Sequence, residues 1–286
     1  MAHNIEIRKI PFEFSQAVSP IWNPAQHEWS HMVNGASLAM PYLEPFLNRT
    51  LRQAAEFIED PELAADIKGF VGQEAQHYTN HRRMNDMLKA NGYPELAEVE
   101  ETFTADYKKL EQRSLARRLA YCAGFETMTM GVTDWLVNDR DALFGGADPT
   151  VSSLVLWHMV EETEHKTVAY DVFQAVAGGY WLRIYGLLHG SLHVGFMSRR
   201  AYRAMLKKDG LWGSVASRLR LWKMVGRFFL NAGGAMLQAL QPGYHPSKRN
   251  DPDWVDQWRR AYAGNTADFV PLLDTSKENI QPAFVS

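Results

Sequence analysis

The chain of 286 residues has a single cysteine, Cys122. That scarcity excludes an intramolecular disulfide and a zinc cluster built on several thiolates, and it suits a reducing cytoplasm. A large charge of one sign is also missing. With 30 Lys and Arg against 33 Asp and Glu, the formal net charge is −3, so nothing calls for a nucleic-acid partner. The opening MAHNIEIRKIPFEF lacks the apolar core of a signal peptide, and export by that route is not expected. No low-complexity linker interrupts the chain, and no run alternates as a half-buried strand does.

Long segments carry apolar residues at three- and four-residue spacing, separated by Gly, Pro and Asn, which predicts an all-α protein. Helices are expected near 26–58, 62–91, 113–139, 150–177, 180–207 and 213–240. Asp60-Pro61 and Asp148-Pro149 read as helix starts, because proline is tolerated in a first turn, and Asn91-Gly92 reads as a stop. One domain over 1–286 follows: a bundle over about 26–177, a helical extension over about 180–240, and an irregular tail over 241–286.

Against this apolar background, WHMVEETEHK at 157–166 places two histidines and three glutamates within eight residues. His158, Glu162 and His165 stand at i, i+4 and i+7 and share one helical stripe. Polar groups on a buried stripe are costly unless paired, and a metal would pair them. The same Glu-x-x-His spacing joins Glu74 and His77 earlier in the chain. A lone glutamate precedes each copy in an apolar setting: Glu44 in ASLAMPYLEPFL and Glu126 in YCAGFETMTMGV. Glu161 competes with Glu162 for the inward position, and the matching spacing favours Glu162. His81, one turn after His77, shares its face and is a candidate to hold a ligand or substrate. Asp134, two turns after Glu126, is a candidate to orient a metal-bound histidine through its second ring nitrogen.

Two copies of Glu followed by Glu-x-x-His resemble the ligand set of the ferritin-like di-iron carboxylate proteins, a four-helix bundle around a binuclear site. The resemblance covers about residues 36–170. With His158 one turn before the second motif, the pattern is similar to that of the arylamine N-oxygenases, which carry an extra histidine ligand. The text QEAQH followed by EETEHK also resembles a bacterial family labelled predicted metal-dependent hydrolases. The di-iron resemblance implies a ferritin-like bundle with additional C-terminal helices and Glu44, Glu74, His77, Glu126, His158, Glu162 and His165 as ligands. His81, Asp134 and Glu161 would stand around them. Two iron ions are the implied cofactor, with manganese or zinc as substitutes the same donors accept. The implied activity is oxidation or oxygenation of a small organic substrate by dioxygen, with an electron-donor protein as a further partner. The alternatives are a hydrolase that activates water on the metal and a non-enzymatic iron-binding or storage protein. Helices beyond residue 178 argue against a minimal storage cage.

The extension adds AVAGGYWLRIYGLLHGSLHVGFM at 175–197, apolar enough to raise a membrane span, but Arg183, His189, His193 and the glycines favour a buried helix. From Arg199 to Arg227, nine Lys or Arg stand against Asp209 alone. A basic, aromatic stretch of this kind suits either an acidic substrate lying between extension and bundle or a peripheral contact with anionic lipid. The expected location is therefore cytoplasmic with a membrane-associated variant, and a homodimer is the assembly to test.

Overall fold

The computed structural model describes residues 5–266 and 268–285, and it is almost wholly helical. In chain order the helices are α1 (His27–Ala54), α2 (Pro61–Ala90), α3 (Leu96–Glu111), α4 (Leu115–Asn138), α5 (Arg140–Phe144), α6 (Pro149–Glu164), α7 (Val168–Val176), α8 (Tyr180–Lys208), α9 (Val215–Ala239) and α10 (Asp253–Tyr262). A two-residue strand pair, β1 (Leu272–Leu273) and β2 (Phe284–Val285), closes the tail antiparallel, with Leu272 opposite Val285.

The expected helix starts are built as their sequences suggest. Asp60 accepts from the Glu62 backbone N–H, Asp148 accepts from those of Thr150 and Val151, and a proline follows each cap. The structure corrects the expectation in three places. Helix α3 was not foreseen, because its buried stripe of Leu96, Phe103, Tyr107 and Leu110 is narrow within a charged segment. The expected helix over 150–177 is two helices, since the chain leaves α6 at His165 and turns before α7 begins at Val168. The tail is not irregular throughout: Trp254, Val255, Trp258 and Tyr262 give α10 a buried face.

Prolines 41 and 45 lie inside α1. Each removes the N–H that would reach back four residues, leaving the carbonyls of Ser37 and Pro41 without their helical donors. Side chains of α2 supply replacements, Asn85 Nδ2 to Ser37 O at 3.0 Å and Arg82 Nη2 to Pro41 O at 3.5 Å. The stretch of α1 that carries Glu44 is thereby tied to α2.

Helices α1, α2, α4 and α6 surround the centre of the molecule, and α8 and α9 lie outside α4. The contact between α4 and α8 is a backbone contact. A Cβ on Gly124 would fall 2.2 Å from the Gly186 carbonyl carbon, and one on Gly186 would fall 1.9 Å from Ala120 O. At that crossing the two helices leave no room for a substrate between them. Trp181 and Trp222 face away from the bundle, 79% and 69% exposed, and do not line a passage to its centre. Among the described residues, no helix is long and apolar enough to cross a membrane.

Candidate metal centre

The four inner helices bring the paired motifs together. Helix α1 contributes Glu44, α2 contributes Glu74, His77 and His81, α4 contributes Glu126, and α6 contributes His158 and Glu162, with His165 on the turn that follows. None of these eight side chains belongs to a residue more than 6% exposed.

Their donor atoms converge. His165 Nε2 lies 3.2 Å from Glu162 Oε2, 3.5 Å from Glu74 Oε1 and 3.7 Å from Glu126 Oε2. His77 Nδ1 lies 3.6 Å from Glu74 Oε1. His158 Nε2 lies 2.8 Å from Glu162 Oε1 and 3.8 Å from Glu44 Oε1. Four triplets bring one donor atom from each member within 4.8 Å of the others: Glu44 with Glu74 and His77, Glu74 with Glu162 and His165, His77 with His158 and Glu162, and Glu44 with His81 and His158. Glu44, Glu74, His77, His158 and Glu162 each belong to two triplets, so the four groups share members and form one continuous cluster. Glu126 joins no triplet and approaches the centre through His165.

Hydrogen bonding shows what these atoms lack. Both carboxylate oxygens of Glu44, Glu74 and Glu126 are buried without a hydrogen-bond partner, and so are Nδ1 of His77 and Nδ1 of His165. Buried carboxylates left unpaired cost several kcal/mol each, on the order of what opens a small protein. Cations bound between them would remove that cost, and a glutamate–histidine donor set fits iron, manganese or zinc. The residues present therefore fit a metal centre.

The electrostatics agree with the geometry. Burial, reinforced by the charge of Glu74, pushes the Glu44 carboxyl well above the ordinary carboxylate range. Burial and the charges of Glu162 and Glu74 do the same to Glu126. At Glu162 burial also pushes upward, but His165 and His158 outweigh it and hold this carboxyl well below its usual range. Burial pulls the His77 imidazole down, and Glu161 and Glu74 more than reverse it. His81 is driven well down by burial and by its neighbours His158 and His77.

The residues expected around the centre separate clearly. Glu161 stands behind His77 and accepts from its Nε2 at 2.9 Å, which turns Nδ1 towards the carboxylates. The other oxygen of Glu161 accepts from Arg8 Nη1 at 3.0 Å. His81 holds the outer side of His158, with Nε2 at 2.8 Å from His158 Nδ1 and its own Nδ1 at 2.9 Å from Ser37 Oγ. Asp134 does not orient a histidine, because its carboxylate pairs with Arg249 at the edge of the bundle. Sequence reasoning missed Arg8. Its guanidinium is buried, reaches Glu161, and grips both oxygens of Glu164 at 2.9 and 2.8 Å. An arginine in an N-terminal arm that precedes any helix gave no local signal of this position.

Fold and site together define an all-α bundle with a buried cluster of glutamates and histidines able to hold metal. The chain belongs to the family described as "Predicted metal-dependent hydrolase", whose profile matches residues 6–250. No curated protein and no solved structure matches it.

Proposed function

We propose that the chain is a metal-dependent enzyme that holds two metal ions between Glu44, Glu74, His77, Glu126, His158, Glu162 and His165, and that with iron it reacts with dioxygen. The donor groups overlap in Glu44, Glu74, His77, His158 and Glu162, which supports a cluster that would hold more than one ion. Four glutamates also balance the formal charge of two divalent ions. The single observation that carries the reading is a buried, carboxylate-rich centre in which both oxygens of Glu44, Glu74 and Glu126 have no hydrogen-bond partner.

When bound, redox-active ions would supply the electrons that dioxygen reduction needs, whereas zinc would supply Lewis acidity alone. The protein residues act around that chemistry. Glu161 fixes the His77 proton on Nε2 and leaves Nδ1 as a donor, and His81 fixes the orientation of His158. Closed packing keeps bulk water from the carboxylates. This resembles the di-iron carboxylate proteins, and it asks for an organic substrate and an electron donor from outside the chain.

Hydrolysis is the second reading, and the family description favours it. The two separate by metal and oxygen. Under the first, protein loaded anaerobically with ferrous iron takes up two ions per chain and consumes dioxygen on mixing. Under the second, the zinc-loaded protein cleaves ester or phosphoester substrates without oxygen, and the ferrous form leaves dioxygen untouched. Saturation at one ion per chain in excess metal would count against both as stated.

A further inference from the structure

The centre makes no use of the outer faces of α8 and α9. On α8, Trp181, Leu188, Leu192 and Phe196 form one stripe and are 79%, 50%, 58% and 59% exposed. On α9, Leu219, Trp222, Leu230 and Leu237 form another, at 65%, 69%, 84% and 69%. Single exposed apolar side chains are ordinary, but two aligned stripes are not.

Both stripes look out on one side of the molecule. Gly124 and Gly131 lie seven residues apart and so on one stripe of α4; the first meets Gly186 of α8 and the second meets Ala232 and Ala235 of α9. The two outer helices are also tied at both ends. Arg183 and Tyr180 at the start of α8 donate to the carbonyls of Ala239 and Leu240 at the end of α9. Across the connecting turn, Arg199, Arg203 and Arg218 all stack on Trp212.

Charge decides what this surface suits. Between Tyr180 and Leu240 the only acidic residue is Asp209, and it is engaged by His31 and Tyr93. Arg200, Lys208, Arg220 and Arg227 pair with the carboxylates of Asp106, Glu95, Glu28 and Asp139. Among the described residues, Arg199, Arg203, Lys207, Arg218 and Lys223 meet no carboxylate. Their positive charge borders an apolar surface bearing tryptophans, which are favoured where hydrocarbon meets headgroups. Self-association through the same face would oppose these cations to their own copies.

We propose that the α8–α9 face docks on an anionic lipid bilayer, with Trp181, Trp222 and Leu230 entering the headgroup boundary and the unpaired Arg and Lys residues meeting lipid phosphates. This goes beyond the metal chemistry and stands or falls separately from it.

Full-length protein should sediment with vesicles of mixed phosphatidylglycerol and phosphatidylcholine, bind vesicles of phosphatidylcholine alone about tenfold or more weakly, and be released by salt. Its tryptophan emission should shift to shorter wavelength on binding. The exposed substitutions Trp222→Ser with Leu230→Ser, and separately Arg199→Glu with Lys223→Glu, should each cost about tenfold or more in vesicle affinity. Circular dichroism and metal content should stay those of the parent, which separates lost docking from misfolding. Three results would overturn the proposal: no vesicle binding, binding unaffected by either pair of substitutions, or a dimer or a complex with an acidic protein that uses this face while vesicles do not compete.

Discussion

At the scale of single residues, the most instructive pair is Glu161 and Glu162. They are adjacent in sequence and both buried, yet one faces the centre while the other backs His77. If Glu161 acts by fixing the His77 ring, Glu161→Gln should lower metal affinity by about 10- to 100-fold. Competition against a colorimetric chelator would measure it. Unchanged affinity would mean that Glu161 serves only to anchor Arg8. The choice between the two glutamates was legible from the spacing shared with Glu74 and His77. The role of Glu161 was not, because it depends on a ring contributed by α2, 84 positions earlier.

A second residue-scale expectation concerns His193 on α8, whose Nδ1 accepts from Tyr121 Oη at 2.9 Å. Burial, aided by His189 and Arg200 and opposed by Asp106, brings this imidazole down to about 4. Its folded value lies below that of the unfolded chain, about 6.5, so the unfolded chain takes up the proton first as pH falls. The stability contributed by neutral His193 is thus present above about pH 6.5 and lost progressively towards pH 4. Urea denaturation of His193→Gln should show a shallower decline than the parent across that interval. Parallel declines would remove His193 as a cause.

At the scale of elements, the contact of α8 with α4 rests on an absent side chain. Gly186→Ala would place a methyl group 1.9 Å from Ala120 O, a backbone atom that cannot swing aside. The helices must part, at a cost of about 1–3 kcal/mol or more. Chemical denaturation should show that loss, whereas Gly195→Ala, where a new methyl meets nothing within 4 Å, should be neutral or slightly stabilising. Equal effects would show that helix propensity, not contact, governs the site. Most helices were readable from periodicity, including the two with Asp-Pro starts. Helix α3 hid in a charged segment, and the turn at His165 hid in the polar run EETEHKT, because neither glycine nor proline marks it. The glycines of 175–197 were readable as evidence against a membrane span, but their use as a seat for α4 required the partner helix.

At the scale of the whole molecule, the centre sets stability against function. Glu44, Glu74 and Glu126 hold unpaired oxygens in the core, so the metal-free fold carries a burden that ions relieve. Metal at about a hundred times its dissociation constant should add about 2.7 kcal/mol, or roughly 5 °C of melting temperature. Glu74→Gln should melt at or above the metal-free parent, because a buried charge is gone, while losing most of that metal-dependent gain. Calorimetry with and without metal would test both halves. A variant that melts far lower without metal would recast Glu74 as a structural residue. This four-helix convergence was legible in outline from two Glu-x-x-His motifs and two lone glutamates, since each lies on a face whose burial they would otherwise spoil.

Arg8 and Arg259 lie on either side of the centre residues in the sequence and share Glu164, the last residue of α6; Arg259 Nε lies 3.1 Å from the same oxygen that Arg8 holds. A growing polypeptide emerges amino end first, so Arg8 is available before the centre residues and Arg259 only after them. Until Arg259 emerges, the clasp beside His165 is half made. All eight centre residues, Glu44 to His165, precede Arg259 in the chain and are synthesised before it. The order of residues along the chain is thus a schedule for assembly, in which the latch closes only after every donor of the centre has been made.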